Sequence, residues 1–167
     1  MVSRQLLDAI RAGYALDWHG LHGIRHWARV YENGIRLAAE TGARLPVVQL
    51  FAVFHDSRRL SEGRDDGHGP RGALLAEEFR GRYFDLADED FALLTAACRR
   101  HTAAASDDDI TVRVCFDADR LDLPRVGKVI DCNLLCTDAA RRPEIIAWAR
   151  GRSESDAEAG ILSSWEE

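Results

Sequence analysis

The sequence contains no run of about 18 apolar residues and no C-x-x-C pair. The first absence argues against a membrane-spanning helix. Charges at Arg4, Asp8 and Arg11 also interrupt the N-terminal segment, where a secretory leader would be apolar. The second absence argues against a zinc ribbon and a thioredoxin-type motif, so we expect reduced, mostly buried cysteines. We therefore expect a cytoplasmic protein that does not enter a membrane.

Lysine is almost absent: Lys128 is the one lysine among 22 basic residues, against 28 acidic residues and a formal net charge of −6. This balance argues against binding to duplex nucleic acid, whose phosphates would repel the chain. Arginine suits two-point contacts with phosphate or carboxylate groups, although GC-rich coding would produce the same bias. A P-loop and a G-x-S-x-G nucleophile elbow are also absent.

The length of 167 residues is typical of one domain, and 46% apolar residues suffice for a core. Apolar residues recur mainly at helical spacing, and no segment offers a clear partner for a β-strand. We therefore predict an all-α, single-domain helical bundle over residues 1–150. Residues 151–167 are predicted to form an acidic, mobile C-terminal tail.

The clearest helical patterns lie in the first third of the chain. Residues 24–37 have apolar positions three to four apart, and Gly42 provides a stop. Residues 47–55 follow Pro46 and are apolar on nearly all sides, which predicts a helix deep in the bundle. The polar, glycine-rich residues 57–69 predict a surface loop that covers or lines a site.

The later elements are less clear. We predict a helix over residues 73–79 and another that begins with Asp88 as its N-cap and ends near His101. Residues 110–123 fit both a strand and a helical face, and we predict a helix because no other strand is available for pairing. Residues 130–139 and 144–150 predict two short final helices.

The chain has six histidines, and one of them is followed directly by an aspartate: His55 and Asp56 end the apolar helix. A buried carboxylate needs a strong partner to offset its desolvation, and a metal ion is one such partner. The alternative is a histidine favoured by the helix dipole beside an aspartate that caps the loop. Histidines or carboxylates near the ends of the other predicted helices favour a metal site in the bundle core.

Three motifs in order carry a resemblance to a known family: His26-x-x-Arg29-Val30, then His55-Asp56, then Asp117-Ala-Asp119-Arg-Leu-Asp122. Together they resemble the HD-domain superfamily of metal-dependent phosphohydrolases, over about two thirds of the chain. The resemblance implies an HD-type bundle in which His26, His55, Asp56 and Asp119 hold a metal ion between core helices. Asp117 is the less favoured ligand. His22 is followed by Gly23 where small relatives have an aspartate, so a role for that aspartate does not transfer.

Two further motifs suggest a second ion. His68-Gly-Pro-Arg-Gly-Ala and His101-Thr resemble segments of HD proteins that bind two metals. The resemblance implies that His68 and His101 hold the second ion, with Asp56 bridging both ions and positioning a metal-bound water. One or two divalent ions of manganese, iron, cobalt, nickel or zinc suit imidazole and carboxylate ligands. Taken singly, His68 is more typical of a solvated loop residue and His101 of a helix-end residue.

The function implied is hydrolysis of a nucleotide or another small phosphorylated metabolite by metal-activated water. His22, Arg29, Arg59 and Arg120 are the predicted substrate-binding residues; Arg59 stands where many relatives have lysine. For each arginine, the alternative is solvent exposure or an ion pair with Asp65, Asp66 or Asp122. Trp18 and Trp27 could stack on a base, although indoles at such positions are more often core residues.

Two other functions stay open. A smaller HD branch uses a similar ligand set on a mixed-valent diiron pair to oxygenate small polar substrates. A degenerate HD fold could instead serve as a non-catalytic nucleotide-binding module. Iron content and O2 consumption separate the first alternative from a phosphohydrolase. No periodic exposed seam specifies an oligomeric state.

Overall fold

The computed structural model describes residues 2–166, in which nine α-helices form the framework. They are α1 Arg4–Arg11, α2 Ile24–Thr41, α3 Leu45–Phe54, α4 His68–Phe79, α5 Asp88–Arg100, α6 Ile110–Arg120, α7 Asp138–Arg141, α8 Pro143–Glu154 and α9 Gly160–Glu166. Among the described residues, the only β-type pairing is an isolated bridge between Arg80 and Phe84. The predicted all-α, single-domain fold is confirmed.

Helices α2, α3 and α6 form the centre of the bundle. The predicted all-round apolar character of α3 is confirmed, because Val47, Leu50, Phe51 and Phe54 are at most 1% exposed. Gly34 of α2 allows this close packing: a Cβ added there would lie 2.3 Å from Cγ1 of Val48. The C-terminal end of α3 therefore lies in the interior, and His55 and Asp56 follow it there.

The ambiguous segment near residue 110 is helical, as predicted. Asp109 is the N-cap of α6, and its side chain accepts hydrogen bonds from the main-chain N–H groups of Thr111 and Val112. The predicted stop of α2 is also confirmed, since Gly42 has a left-handed φ of 73°.

The predicted helix over residues 130–139 is wrong. This region contains a short 3-10 helix at Cys132–Leu134, an extended turn, and only then α7. The physical reason is the carboxylate of Asp117, which accepts hydrogen bonds from the main-chain N–H groups of Cys136 and Thr137 at 2.6 and 2.9 Å. These donors are satisfied without a helix.

The residues after position 150 are part of the folded domain rather than a separate tail. The predicted boundary falls inside α8, and α9 lies against α2 and α1. Leu162 and Trp165 of α9 are buried, and the Trp165 ring meets the Tyr31 ring edge to face at 5.2 Å between centroids. An apolar face on an otherwise acidic segment explains the difference from the prediction. None of the helices in residues 2–166 combines the length and the apolar composition that a membrane span requires.

Candidate metal centre

The six predicted metal ligands converge at one place between the helices. Each core helix contributes near one of its ends: His26 from the first turn of α2, His55 and Asp56 after α3, His68 at the start of α4, His101 after α5, and Asp119 near the end of α6. Their side-chain atoms form two groups that share Asp56.

The first group is centred on two fully buried histidines. The Nε2 atoms of His26 and His55 lie 3.0 Å apart. Oδ1 of Asp119 lies 3.5 and 3.7 Å from these two nitrogens. Oδ2 of Asp56 lies 3.7 and 3.8 Å from them. Two imidazole nitrogens and two carboxylate oxygens therefore surround one point.

The second group lies on the other side of Asp56. The Nε2 atoms of His68 and His101 are 2.9 Å apart, and Nε2 of His68 lies 3.2 Å from Oδ1 of Asp56. The two carboxylate oxygens of Asp56 thus face different groups, Oδ2 the first and Oδ1 the second. This is the arrangement of a bridging carboxylate.

The hydrogen bonds of the four histidines fix which ring nitrogen is free. In each ring, Nδ1 lies 2.5–3.0 Å from an oxygen that can only accept: Asp122 for His26, Ala52 for His55, Asp65 for His68 and Cys98 for His101. Nδ1 therefore carries the proton of each neutral imidazole. All four Nε2 lone pairs are directed into the two groups, as metal ligation requires.

Each of the two groups could hold a metal ion. Facing lone pairs about 3 Å apart repel each other unless a cation lies between them. Two nitrogens that each lie about 2.1 Å from one metal, at a right angle, are about 3.0 Å apart. The spacings of 3.0 and 2.9 Å in the two histidine pairs match that value. The donor set of imidazole and carboxylate suits manganese, iron, cobalt, nickel or zinc.

The protonation states also suit a metal. Burial lowers the pKa of His26 to about 3 and lowers the pKa values of His68 and His101, so these rings are neutral near pH 7. Burial opposes ionisation of Asp56, but His55 and the hydrogen bond from His22 outweigh it and hold its pKa well below the ordinary value. Neutral imidazole and ionised carboxylate are the forms that bind metal ions.

Asp122 is the residue near the site whose role the sequence did not predict. Its buried carboxylate accepts hydrogen bonds from Nδ1 of His26 and from Nε of Arg29, both at 2.7 Å. A carboxylate behind a ligating histidine fixes the ring orientation and tautomer. The available signal was the spacing in Asp119-Arg-Leu-Asp122, which places the two carboxylates about one turn apart.

Arg29 is not placed to bind substrate, which corrects the prediction. It is 2% exposed, and its guanidinium is paired with Asp122 and, at 2.7 Å through Nη1, with Asp156. Its spacing of three residues from His26 does put both on one helix face, but that face is buried. The ion pair with Asp122, which was the alternative for this arginine, is what the structure contains.

Arg120 lines the cavity, and its guanidinium also makes structural contacts. Its guanidinium donates to the main-chain oxygens of Ala104 at 2.6 Å, Ala105 at 2.9 Å and Leu134 at 2.5 Å. It thereby joins two loops that border the site. These carbonyl groups occupy Nη1 and one N–H of Nη2 of Arg120.

Arg59 and His22 do lie beside the metal ligands and line the cavity. Nη1 of Arg59 is 3.4 Å from Oδ1 of Asp56, and its Nη2 donates to the main-chain oxygen of Gly63 at 2.7 Å. Nδ1 of His22 donates to Oδ2 of Asp56 at 2.9 Å. Arg59 holds the loop after α3 while keeping positive charge next to the bridging carboxylate.

A cavity of about 950 Å³ opens onto one side of the two groups. Asp56, His68, His101 and Asp119 line it, whereas His26 and His55 lie behind them. This volume lies in the upper part of the range of small-molecule sites. The cavity therefore reaches Asp119 of the first group, the shared Asp56 and both histidines of the second group.

Trp18 and Trp27 do not line this cavity. Their rings pack edge to face against each other and against Tyr14, with centroids 5.2–5.6 Å apart. Trp27 is fully buried, so the core role is the one that the structure supports. Asp117, the less favoured ligand, is likewise structural: it holds the turn before α7.

Two glycines explain why the start of α4 can approach the site. A Cβ at Gly72 would lie 2.2 Å from the main-chain oxygen of Phe54, at the end of α3. A Cβ at Gly69 would lie 2.3 Å from the main-chain oxygen of Cys98. Side chains at these positions would push His68 away from His101.

No protein-family model matches the chain, and neither curated proteins nor solved structures include a match to it. The resemblance to the HD superfamily therefore stays a prediction from the motifs.

Proposed function

We propose that the protein is a metal-dependent phosphohydrolase that acts on a small phosphate ester. The observation that carries this proposal is the shared carboxylate of Asp56, whose two oxygens face two histidine groups at the floor of a cavity. Such a pair of sites is suited to an in-line displacement at phosphorus. Bound ions lower the pKa of a coordinated water and neutralise charge on the phosphoryl oxygens.

The protein residues position the reaction rather than supply a nucleophile. Asp56 holds both sites at a fixed separation, and His22 and Arg59 orient Asp56 from the two sides. The water oxygen attacks phosphorus, the bond from phosphorus to the ester oxygen breaks, and the alcohol leaves with a proton. The products are inorganic phosphate and the alcohol.

Arg59 is the side chain we assign to the substrate phosphate. Its guanidinium borders both the cavity and Asp56. Nε and Nη2 donate to the main-chain oxygens of Ser61 and Gly63, so the contact that we assign to phosphate is made through Nη1. Arg59→Lys keeps the positive charge and removes the guanidinium donors that bind Ser61 and Gly63. We expect this variant to raise KM for a phosphate ester more than it lowers kcat.

The test is a phosphate-release screen with protein loaded separately with manganese, iron, cobalt, nickel or zinc. We expect release from at least one class of phosphate ester, and loss of release in Asp56→Asn. Asp117→Asn is the matched control, because it alters a buried aspartate that contacts no ligand. No release with any metal, from protein shown to contain metal, would refute the proposal.

A mixed-valent diiron oxygenase is the second candidate, because the same ligand set would serve either chemistry. All six residues of the longer ligand set converge, including His68 and His101, which the oxygenase branch also uses. Two irons per chain with substrate-dependent O2 consumption, and no phosphate release, would select this function. Phosphate release without O2 consumption would reject it.

A further inference from the structure

One wall of the cavity above the candidate metal centre is aliphatic. The segment between α6 and α7 supplies it through Leu123, Val126, Val129, Ile130, Leu134 and Leu135. Val129 is 87% exposed and Leu134 is 53% exposed, so neither side chain is packed in the core. Three consecutive alanines, at positions 103–105, continue the apolar surface. A ligand in the cavity would cover these groups.

The same cavity, as lined by residues 2–166, has no large aromatic side chain on which a base could stack. Among the described residues, its lining contains no phenylalanine, tyrosine or tryptophan ring and no side-chain amide. Its aromatic rings are the imidazoles of His22, His68 and His101, and Thr102 supplies its one hydroxyl. Bases are commonly held by stacking on aromatic rings and by hydrogen bonds to such polar groups. The tryptophans nearest to the first ligand are enclosed in their own cluster.

Positive charge is available for the other end of a ligand. Arg59 lies next to Asp56, and Lys128 lines the cavity without an ion pair to any residue in the described range 2–166. Arg64 is paired with Asp66, and Arg120 is held by carbonyl groups. The cavity thus combines a charged floor with an aliphatic side.

We infer that the substrate is a phosphate monoester of an aliphatic alcohol. Its phosphate lies at the ligand groups beside Arg59, and its hydrocarbon chain lies along the wall that contains Val129 and Leu134. This inference rests on the proposed function, because it assumes that the phosphate group is the part bound at the metal centre. It makes alkyl phosphates the expected substrates in place of nucleotides and sugar phosphates.

The inference predicts a dependence on chain length. Each methylene that the wall removes from water strengthens binding by about two- to four-fold. Hexyl has four methylenes more than ethyl. Even if the wall covers the chain only in part, the binding affinity should therefore increase by at least about ten-fold from ethyl to hexyl.

The experiment measures binding of ethyl-, butyl- and hexylphosphonate to the metal-loaded protein by calorimetry. Phosphonates resist hydrolysis, so their affinity is independent of catalysis. The ratio of hexyl to ethyl affinity is compared among wild type, Val129→Asp, Leu134→Asp and Leu74→Asp. Leu74 is 57% exposed on α4 and does not line the cavity, so its variant makes the same chemical change elsewhere.

We expect the ratio to fall by at least five-fold in Val129→Asp and Leu134→Asp and to stay unchanged in Leu74→Asp. A flat affinity across the series, or an equal effect of all three substitutions, would overturn the inference. So would a higher kcat/KM for nucleoside monophosphates than for hexyl phosphate. If chain length matters for binding but no ester is hydrolysed, the cavity preference stands and the proposed function fails.

Discussion

Replacing Asp122 by asparagine tests how the His26 ring is held. The native carboxylate accepts from Nδ1 of His26 and from Nε of Arg29, each at 2.7 Å, and is 1% exposed. Asparagine has a similar shape but one acceptor oxygen, and its NH2 group would face the second donor. One of the two donors therefore loses its partner.

Asp122→Asn should lower both the folding stability and the metal affinity of the first group. Removing one partner of a buried ion pair costs about 3–5 kcal/mol of folding free energy. Arg29 keeps Asp156, so we expect a loss near the lower end, about 3 kcal/mol. Because the His26 ring is no longer fixed, we expect metal affinity at the first group to fall about 10–100-fold.

Urea unfolding of metal-free protein measures the first quantity, and competition with a chromophoric chelator measures the second. Asp117→Asn is the control: it also removes a buried carboxylate that accepts hydrogen bonds, at 2.6–2.9 Å, but from Cys136 and Thr137. It should lower stability and leave metal affinity unchanged. Equal metal affinities in the two variants would refute the assigned role of Asp122.

Three further predictions concern pH, packing and the C-terminal segment. Metal-free protein should lose stability as the pH falls from 6.5 toward 3. Over this range His26 takes up a proton in the unfolded chain but stays neutral in the folded protein, where burial lowers its pKa to about 3. The upper limit for this residue is about 5 kcal/mol, measured by urea unfolding across that range. Gly72→Ala should lower the free energy of unfolding by about 1–3 kcal/mol, because the added methyl group clashes with the end of α3. Gly151→Ala is the control: its methyl group enters open space, so thermal unfolding should show no change or a slight gain in stability. Trp165→Ala should cost about 3–5 kcal/mol in urea unfolding, because its buried ring packs on Tyr31.

Each of these has a result that would contradict it. Stability that does not change between pH 6.5 and 4 would show that His26 is not buried in its neutral form. Equal effects at the two glycines would show that α4 does not approach α3 as described. A change below about 0.5 kcal/mol on loss of the Trp165 ring, the size of an ordinary surface substitution, would mean that α9 is not docked.

The sequence predicted the elements whose pattern is strongly periodic or strongly buried. Helix α3 is apolar on all sides, so its interior position and the burial of His55 and Asp56 followed directly. The helical reading of residues 110–120 followed from the lack of a partner strand. The set of six ligands was implied by the resemblance to the HD superfamily, and in the structure these residues lie together near the ends of the core helices.

The sequence could not predict which charged groups pair with each other. Arg29 lies on the same helix face as His26, but only the fold shows that Asp122 and Asp156 fill that face. The turn before α7 depends on Asp117, which is 19 residues away from Cys136. Long-range hydrogen bonds of this kind leave no periodic signal in the chain.

The most direct test of the central claim is the metal content of untagged protein, purified without added metal and then dialysed against each transition metal in turn. Elemental analysis should give two ions per chain for wild type, one for His68→Ala and none or a weakly held ion for Asp56→Ala, since Asp56 serves both groups. Wild type that binds no metal, or Asp56→Ala that retains two ions, would contradict the account.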